Sequence, residues 1–374
     1  MKVLTLTTQY ANNFGALLQC YALSKYVTKY EQSDCEVINY FPKDYKRSWS
    51  LFNKPRNWRD LLRQVYMLVR PDFVLGKMLR NKVMKRFIKT KLPLTAQSFR
   101  REQLLAFPPK ADVYICGSDQ IWNWILFKDH TYYLDFAEKY PLAKRVSYAA
   151  SIADPWPTEV HNEVSCLLKH FDSVSIREEG NLALTKELLK GTTEPVVVAD
   201  PVFLLSPDDW AEMMDTKYCL EEPYILCYFL SSTSLGVDTV KKIREITGYK
   251  VIGINMGARN KFNCDKIVRA TGPEDFIGLI HNASFICTNS FHASAFSIIF
   301  QKDFIFVPKS MANERIYNLQ HVFGIGDVCA TPERVKKMSM ENVKVNYENL
   351  STDNNSFVKF SKEYLHKAIW GAKV

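Results

Sequence analysis

A strand–helix alternation runs along the chain, stops near residue 203 and then starts again. Short apolar runs recur at 2–7 (KVLTLT), 35–40 (CEVINY), 112–116 (DVYIC), 145–150 (RVSYAA), 173–176 (SVSI) and 195–199 (PVVVA). Helical stretches lie between most of them, the first over 13–30 with Phe14, Leu17, Leu18, Tyr21 and Leu23 as its apolar positions. Strands joined through helices pair in parallel and carry helices on both faces. A polar, acidic segment at 204–215 (LLSPDDWAEMMD) reads as a joint. Beyond it the spacing predicts strands at 223–230, 249–254, 284–288 and 303–307, with helices at 236–247, 273–282 and 290–300. The expectation is an α/β protein of two Rossmann-like domains facing a cleft. The first spans 1–203 and carries an insertion at 43–101. The second spans 204–340. A tail at 341–374, with a helix over 356–370, packs back on the first domain.

Composition removes several other classes. With 47% hydrophobic and 24% charged residues, and only 14 glycines and 16 prolines, neither wholesale disorder nor a low-complexity fibre fits. No apolar run approaches the ~18 residues of a spanning helix. The N-terminal MKVLTLTTQY reads as a first strand and lacks the apolar core of a signal peptide, so a cytoplasmic location is expected. Nine cysteines contain no C-x-x-C pair, and neither they nor the seven histidines have ligand spacing. Buried reduced thiols and no metal centre are the expectation.

The charge is concentrated in one place. Residues 43–101 hold seventeen Lys and Arg against three acids, a net of +14, whereas the whole chain carries +9. Trp49, Phe52, Trp58, Tyr66 and Phe73 are interleaved with these charges, and WRDLLRQVYMLV (58–69) has helical spacing, within a helical region expected over about 57–90. Such a stretch suits an anionic membrane surface or an anionic lipid-linked substrate. The alternative is a solvated helical pair whose aromatics pack into the core. No nucleic-acid motif accompanies it, so no nucleic-acid partner is expected.

Four strand-to-helix junctions carry polar groups where ligands of parallel sheets bind. In Gln9–Gly15 (QYANNFG), Asn13 either caps the helix or meets a polyhydroxyl ligand, and Gly15 permits close backbone approach. In CGSDQIWN (116–123), Ser118, Asp119 and Gln120 form either a hydroxyl-binding edge or a helix cap. In SIREEG (175–180), Arg177 leaves a buried strand and needs an anion, either a ligand or a carboxylate such as Glu178. In FICTNSFHASAFS (285–297), Asn289 or Ser290 caps a helix whose first turn holds His292, beside backbone N–H groups that favour phosphate or carboxylate.

GSDQIWN (117–123), SIREEG (175–180), DPVFLL (200–205) and TNSFHASAFSIIF (288–300), in that order, resemble the polysaccharide pyruvyl transferase family. NNFGALLQCYAL (12–23), GPEDF (272–276) and NERIYNL (313–319) are similar as well, so the resemblance covers roughly 1–325. Ala293 stands where a glycine is common, and Gln301-Lys302-Asp303 replaces a usual Asn-Lys-Pro. The resemblance implies a glycosyltransferase-B-like fold and formation of a pyruvate ketal on a sugar of a surface or capsular polysaccharide precursor, carried on a lipid. Phosphoenolpyruvate is the implied donor, phosphate the leaving group, and no metal or other cofactor is implied.

Under that resemblance His292 suits proton transfer, while Arg177, Asn289, Ser290 and, as second choice, Arg315 suit the donor. Asn13, Gly15, Asp119 and Gln120 suit the sugar acceptor. A lipid-linked acceptor implies a place at the inner face of the cytoplasmic membrane. Two other readings stay open: a nucleotide-sugar-dependent glycosyltransferase of the same architecture, and a non-catalytic membrane-associated binding protein.

Overall fold

In the computed structural model, residues 1–42, 45–51, 55, 57–58, 61–62, 65, 69, 71–127, 130–254, 260–308, 314–348, 350 and 355–371 are described. The chain divides into two compact units. Met1–Lys46, Ile88–Leu205 and Asp353–Val374 form the first; Arg47–Phe87 and Ser206–Thr352 form the second.

The first unit is built on β1 (Lys2–Leu6), β2 (Asp34–Tyr40), β3 (Leu94–Phe99), β4 (Val113–Cys116) and β5 (Lys144–Ser147), all parallel, in the order β3-β2-β1-β4-β5. Two further parallel strands, β6 (Ser175–Ile176) and β7 (Val196–Val197), pair with each other, and bridges Val146–Ser173 and Ala150–Ile176 tie β6 to β5. Every residue of β4 is buried, as expected for a central strand covered on both faces. Asn13 begins the helix Phe14–Lys29 by accepting a hydrogen bond from the Ala16 N–H at 3.3 Å. That helix is buried around most of its circumference, Gln19 included.

The tail helix Ser356–Trp370 belongs to this unit. Its Ser361 Oγ accepts a hydrogen bond from the Ala199 N–H at 2.8 Å, and Tyr364 donates to the Ser147 carbonyl at 3.0 Å. Near its end, His366 Nδ1 lies 2.8 Å from Glu31 Oε2, and the Trp370 indole N–H donates to the same oxygen at 3.0 Å.

The second unit repeats the plan. Strands β8 (Tyr224–Tyr228), β9 (Lys250–Ile254), β10 (Lys266–Val268), β11 (Phe285–Thr288) and β12 (Phe304–Phe306) are parallel in the order β10-β9-β8-β11-β12. The restart of the alternation therefore corresponds to a second sheet of the same topology. The helix Ser234–Thr247 is capped by the Thr233 side chain and stopped by Gly248, and turns Val240 and Ile243 into the core. The helix Pro273–Asn282 starts with proline after Gly272, whose N–H donates to Asp275 Oδ2 at 2.7 Å.

Two features differ from the sequence expectation. First, β3 and β10 carry no marked apolar signal. Both are edge strands, and the middle of β3 (Ala96–Ser98) is exposed, so a run of buried side chains is not required there. The basic stretch accordingly ends in a strand, and its helix, Pro71–Lys91, stops before it. Second, residues 47–87 group with the second unit, although the sequence reading attached them to the first. Gly76 and Gly272 explain the close packing there. A Cβ on Gly76 would lie 2.7 Å from Arg269 Cβ, and one on Gly272 would lie 2.4 Å from Val83 Cγ1.

Trp49 is half-buried beneath the same helix, with Asn81 donating to its carbonyl at 2.9 Å and Lys85 Nζ 5.5 Å from its ring centre. Phe73 lies 5.6 Å from the Arg269 guanidinium. Trp58 is exposed. Phe52, Tyr66 and much of the helix expected over 58–69 lie outside the described residues.

Candidate active site

Each sheet reverses its strand order at one point, between β1 and β4 in the first unit and between β8 and β11 in the second. Connections diverge to opposite faces there, and the carboxyl ends of those strands are where such folds bind ligands.

In the first unit the β1 and β4 ends are stitched together. Thr7 Oγ1 donates to the Ser118 carbonyl at 2.9 Å, the Gln19 amide donates to Thr7 Oγ1 at 2.8 Å, and the Ser118 N–H donates to Gln19 Oε1 at 2.9 Å. Thr8 Oγ1 donates to Asp119 Oδ2 at 2.6 Å. Backbone conformations are unusual at this edge: φ is +118° at Gly117, +67° at Asp119 and +48° at Ala149. A Cβ at Gly117 would stand 2.2 Å from the Tyr148 carbonyl oxygen, so only glycine allows β4 to leave the sheet this close to β5. Left-handed Asp119 and Ala149 cost of order 1–3 kcal/mol each, and such strain clusters at functional edges.

The loop is held from below. Ile121 and Trp122 are buried, Trp122 stacks on Tyr133 with centroids 5.4 Å apart, and the Trp156 indole donates to the Trp122 carbonyl at 2.9 Å. Asp119 and Gln120, just before this anchor, stay half-exposed, with Gln120 Oε1 taking a 3.3 Å bond from Asn123. Asn13 is half-exposed and acts as helix cap, the structural alternative for that position. Gly15 is buried in the first helical turn.

Arg177 is paired with carboxylates of the protein, one of the two partners expected for it. Its side chain is 4% exposed, with Nη1 2.6 Å from Asp200 Oδ2 and Nε 3.5 Å from Glu178 Oε1. Burial opposes its charge, but Glu178, Asp200 and Asp119 together outweigh that and raise its pKa. Glu178 is fixed in turn by Ser151 Oγ, which donates to Oε1, and by the Ile152 N–H at 3.2 Å from Oε2. The guanidinium is thus the centre of a buried ionic cluster, and the carboxylate it needed on leaving its strand is supplied by the protein.

In the second unit Thr288 ends β11 opposite Tyr228 of β8, and Thr288 Oγ1 donates to the Tyr228 carbonyl at 2.7 Å. Asn289 uses both ends of its amide on the neighbouring loop: Oδ1 accepts from the Leu230 N–H at 2.7 Å, and Nδ2 donates to the Ser231 carbonyl at 2.9 Å. It is a brace for that edge. Ser290 caps the helix Phe291–Ile299, its Oγ accepting from the Ala293 N–H at 3.4 Å. His292 follows in the first turn, half-exposed, with its ring edge-on to Phe291 at 5.2 Å. Arg315 is half-exposed in the first turn of the helix Glu314–Phe323, and Asn313 of the motif before it lies outside the described residues.

One basic group at this edge was not singled out from the sequence. Arg80 lies on the helix Pro71–Lys91 between Gly76 and Val83, spaced so that all three share the face packed on the Arg269–Gly272 segment. Burial pushes its guanidinium below the usual range, and Tyr228 partly offsets this. Burial likewise pushes the Tyr228 phenol up to about 12, against the opposing effect of Arg80. The helical spacing was readable, but which sheet the insertion would join was not.

The family model for polysaccharide pyruvyl transferase matches residues 13–309, well over half of the chain. The chain belongs to the polysaccharide pyruvyl transferase family. That match contains Asn13, Gly15, Asp119, Gln120 and Arg177 together with Asn289, Ser290 and His292, while Arg315 lies beyond it. No curated protein matches the chain.

Solved structures share the fold of this pyruvyl transferase family member at low identity. The UDP-GlcNAc 2-epimerase from Methanocaldococcus jannaschii has a TM-score of 0.52 at 14% identity, covering 99% of this chain and 100% of that one. The UDP-GlcNAc 2-epimerase from Neisseria meningitidis bound to UDP-GlcNAc has a TM-score of 0.50 at 11% identity, covering 100% of both chains. A putative UDP-N-acetylglucosamine 2-epimerase from Listeria monocytogenes has a TM-score of 0.50 at 12% identity, covering 100% of this chain and 91% of that one. These likenesses place the pyruvyl transferase chain among glycosyltransferase-B-type folds with two Rossmann-like domains. Among the described residues no group of three or more His, Cys, Asp or Glu is placed to hold a metal ion, and no helix is long and apolar enough to cross a membrane.

Proposed function

We propose that the chain transfers the enolpyruvyl group of phosphoenolpyruvate to two hydroxyls of one sugar in a lipid-linked surface or capsular polysaccharide precursor, forming a pyruvate ketal and releasing phosphate. The observation that carries the reading is His292 in the first turn of the Ser290-capped helix, at the strand-order reversal of the second sheet, in a member of this family. Free N–H groups and the dipole at that helix start favour an anion. A half-exposed imidazole beside it suits proton transfer to the donor.

A proton added to C3 leaves C2 electron-poor. The first sugar hydroxyl attacks C2 and loses its proton. Phosphate departs with the C2–O electron pair. The second hydroxyl closes on C2 and loses its proton, completing the ketal. His292 is the proton carrier, and Arg80 and Arg315 are the cations for the donor's phosphate and carboxylate. Arg177 is not given that role, because its charge is matched by Asp200 and Glu178. Asp119 and Gln120, half-exposed at the end of β4, are suited to acceptor hydroxyls.

The test is phosphate release that requires both phosphoenolpyruvate and a saccharide acceptor, with the product's mass raised by one pyruvate minus water. Transfer from a nucleotide sugar instead, with no phosphate released from phosphoenolpyruvate, would overturn the reading.

A further inference from the structure

The described residues of the basic segment in the second unit expose an apolar face. Trp58, Leu61, Leu62, Val65 and Val69 follow i, i+3, i+4, i+7 and i+11 spacing, and each is more than half exposed, Val69 reaching 68%. Leu75, Met78 and Leu79, on the helix Pro71–Lys91, are 56%, 49% and 41% exposed. Soluble proteins expose such side chains singly; a run of eight within 22 residues calls for an occupant. Around it basic groups outnumber acids: Lys82, Lys85 and Arg86 are exposed on the same helix, Arg59, Arg63 and Arg70 alternate with the apolar positions in the sequence, and Asp60 and Asp72 are the acids among them.

We propose that this segment is a docking surface for an anionic lipid bilayer, in which the apolar face enters the headgroup–acyl boundary and the surrounding Lys and Arg meet lipid phosphates. Three candidate occupants are separated by chemistry. A second copy of the chain would bring two faces of the same strong positive charge together. A nucleic acid would satisfy the charge but leave Leu and Val aliphatics against phosphate and sugar, where stacking rings are the useful apolar groups. An anionic bilayer satisfies both properties at once. The inference stands independently of the proposed reaction, since it concerns a surface and not the donor chemistry.

The test uses the full chain in co-sedimentation with phosphatidylcholine vesicles containing 30% phosphatidylglycerol, and with pure phosphatidylcholine vesicles, at low and high salt. The expected result is binding to the anionic vesicles only, weakened by about tenfold or more at high salt because exposed charges are screened. The variant L61E/V65E replaces two exposed side chains, so it should keep the wild-type thermal midpoint and lose vesicle binding. Its circular dichroism checks folding, and W58A, a milder change, should weaken binding several-fold. Absence of sedimentation at low salt, equal binding to neutral vesicles, undiminished binding by folded L61E/V65E, salt-resistant dimerisation through this face, or tighter binding to a single-stranded oligonucleotide than to the vesicles each overturns the proposal.

Discussion

Arg177 Nη1 and Asp200 Oδ2 are 2.6 Å apart, with the Arg177 side chain 4% exposed and that of Asp200 0%. A pair removed so fully from water is not stabilised by charge attraction alone, but removing one partner strands the other. We expect Arg177→Met to lose about 3–5 kcal/mol, roughly 6–20 °C in thermal midpoint. Arg177→Lys keeps the charge, loses the planar fork and should fall between. Donor KM per folded molecule should be unchanged in Arg177→Lys. A donor KM raised tenfold at an unchanged midpoint would return Arg177 to the donor site.

His292 is expected to behave oppositely. It is half-exposed in the first helical turn, and Ser290 supplies the cap. His292→Ala should therefore leave stability within about 1 kcal/mol of wild type, while turnover falls ~10²–10⁴-fold, the range for a lost proton carrier. Single-turnover phosphate release measured alongside thermal melting separates the two effects. Wild-type turnover in a folded variant would remove His292 from the chemistry.

Asn289 differs from His292 although only three residues away. Both ends of its amide are bonded to the loop after β8. Asn289→Asp exchanges the donor facing the Ser231 carbonyl for an acceptor, and should cost about 1–3 kcal/mol. Asn289→Ala should lose the loop's ordering as well, read as faster amide exchange at Leu230. Unchanged exchange there would show that the brace is dispensable.

The fold was legible where burial dictates composition. β4, β8 and β11 are central strands, and their continuous apolar runs are a direct consequence of cover on both faces. Edge strands β3 and β10 were not legible, since an edge tolerates polar side chains. At the site, residue chemistry was readable but partnership was not. Arg177 needed an anion, and no local rule says that Asp200, 23 positions later, supplies it. The bonds of Asn289 to Leu230 and Ser231 span 59 and 58 positions, beyond the reach of any local rule. Arg80 was hidden for the same reason: its neighbour Tyr228 belongs to a strand nearly 150 residues away, reached only because 47–87 joins the second unit.

The cysteines give a check on the packing itself. Burial pushes the Cys35 thiol up to about 12 and that of Cys329 up to about 11, and holds Cys116 and Cys227 well above the usual range. Cys166 is exposed and Cys219 half-exposed, while the other seven are buried. Ellman's reagent at pH 8 should therefore titrate one thiol quickly and a second more slowly, with all nine reacting in guanidinium. Cys166→Ser should delete the fast phase. Rapid reaction of four or more thiols in the native protein would mean that the sheets are more open than described.

Arg80 is a cation of the helix Pro71–Lys91. Its helix is pressed against the Arg269–Gly272 segment, and its guanidinium is near enough to Tyr228 for each to shift the other's proton affinity. Tyr228 stands opposite Thr288, the residue from which the chain passes through Asn289 and Ser290 to His292. A desolvated guanidinium at this strand end stabilises an anion more than an exposed one does, because less water screens it. If the donor's phosphate or carboxylate binds at this edge, Arg80→Lys should raise donor KM by about tenfold or more, through loss of the two-pronged contact that only a guanidinium makes. Arg80→Met should raise it further, and acceptor KM should stay near wild type in both. Inorganic phosphate, as a product, should inhibit both variants more weakly than wild type. A lowered thermal midpoint with unchanged donor KM and unchanged phosphate inhibition would show that Arg80 serves only to fasten its helix to the second unit.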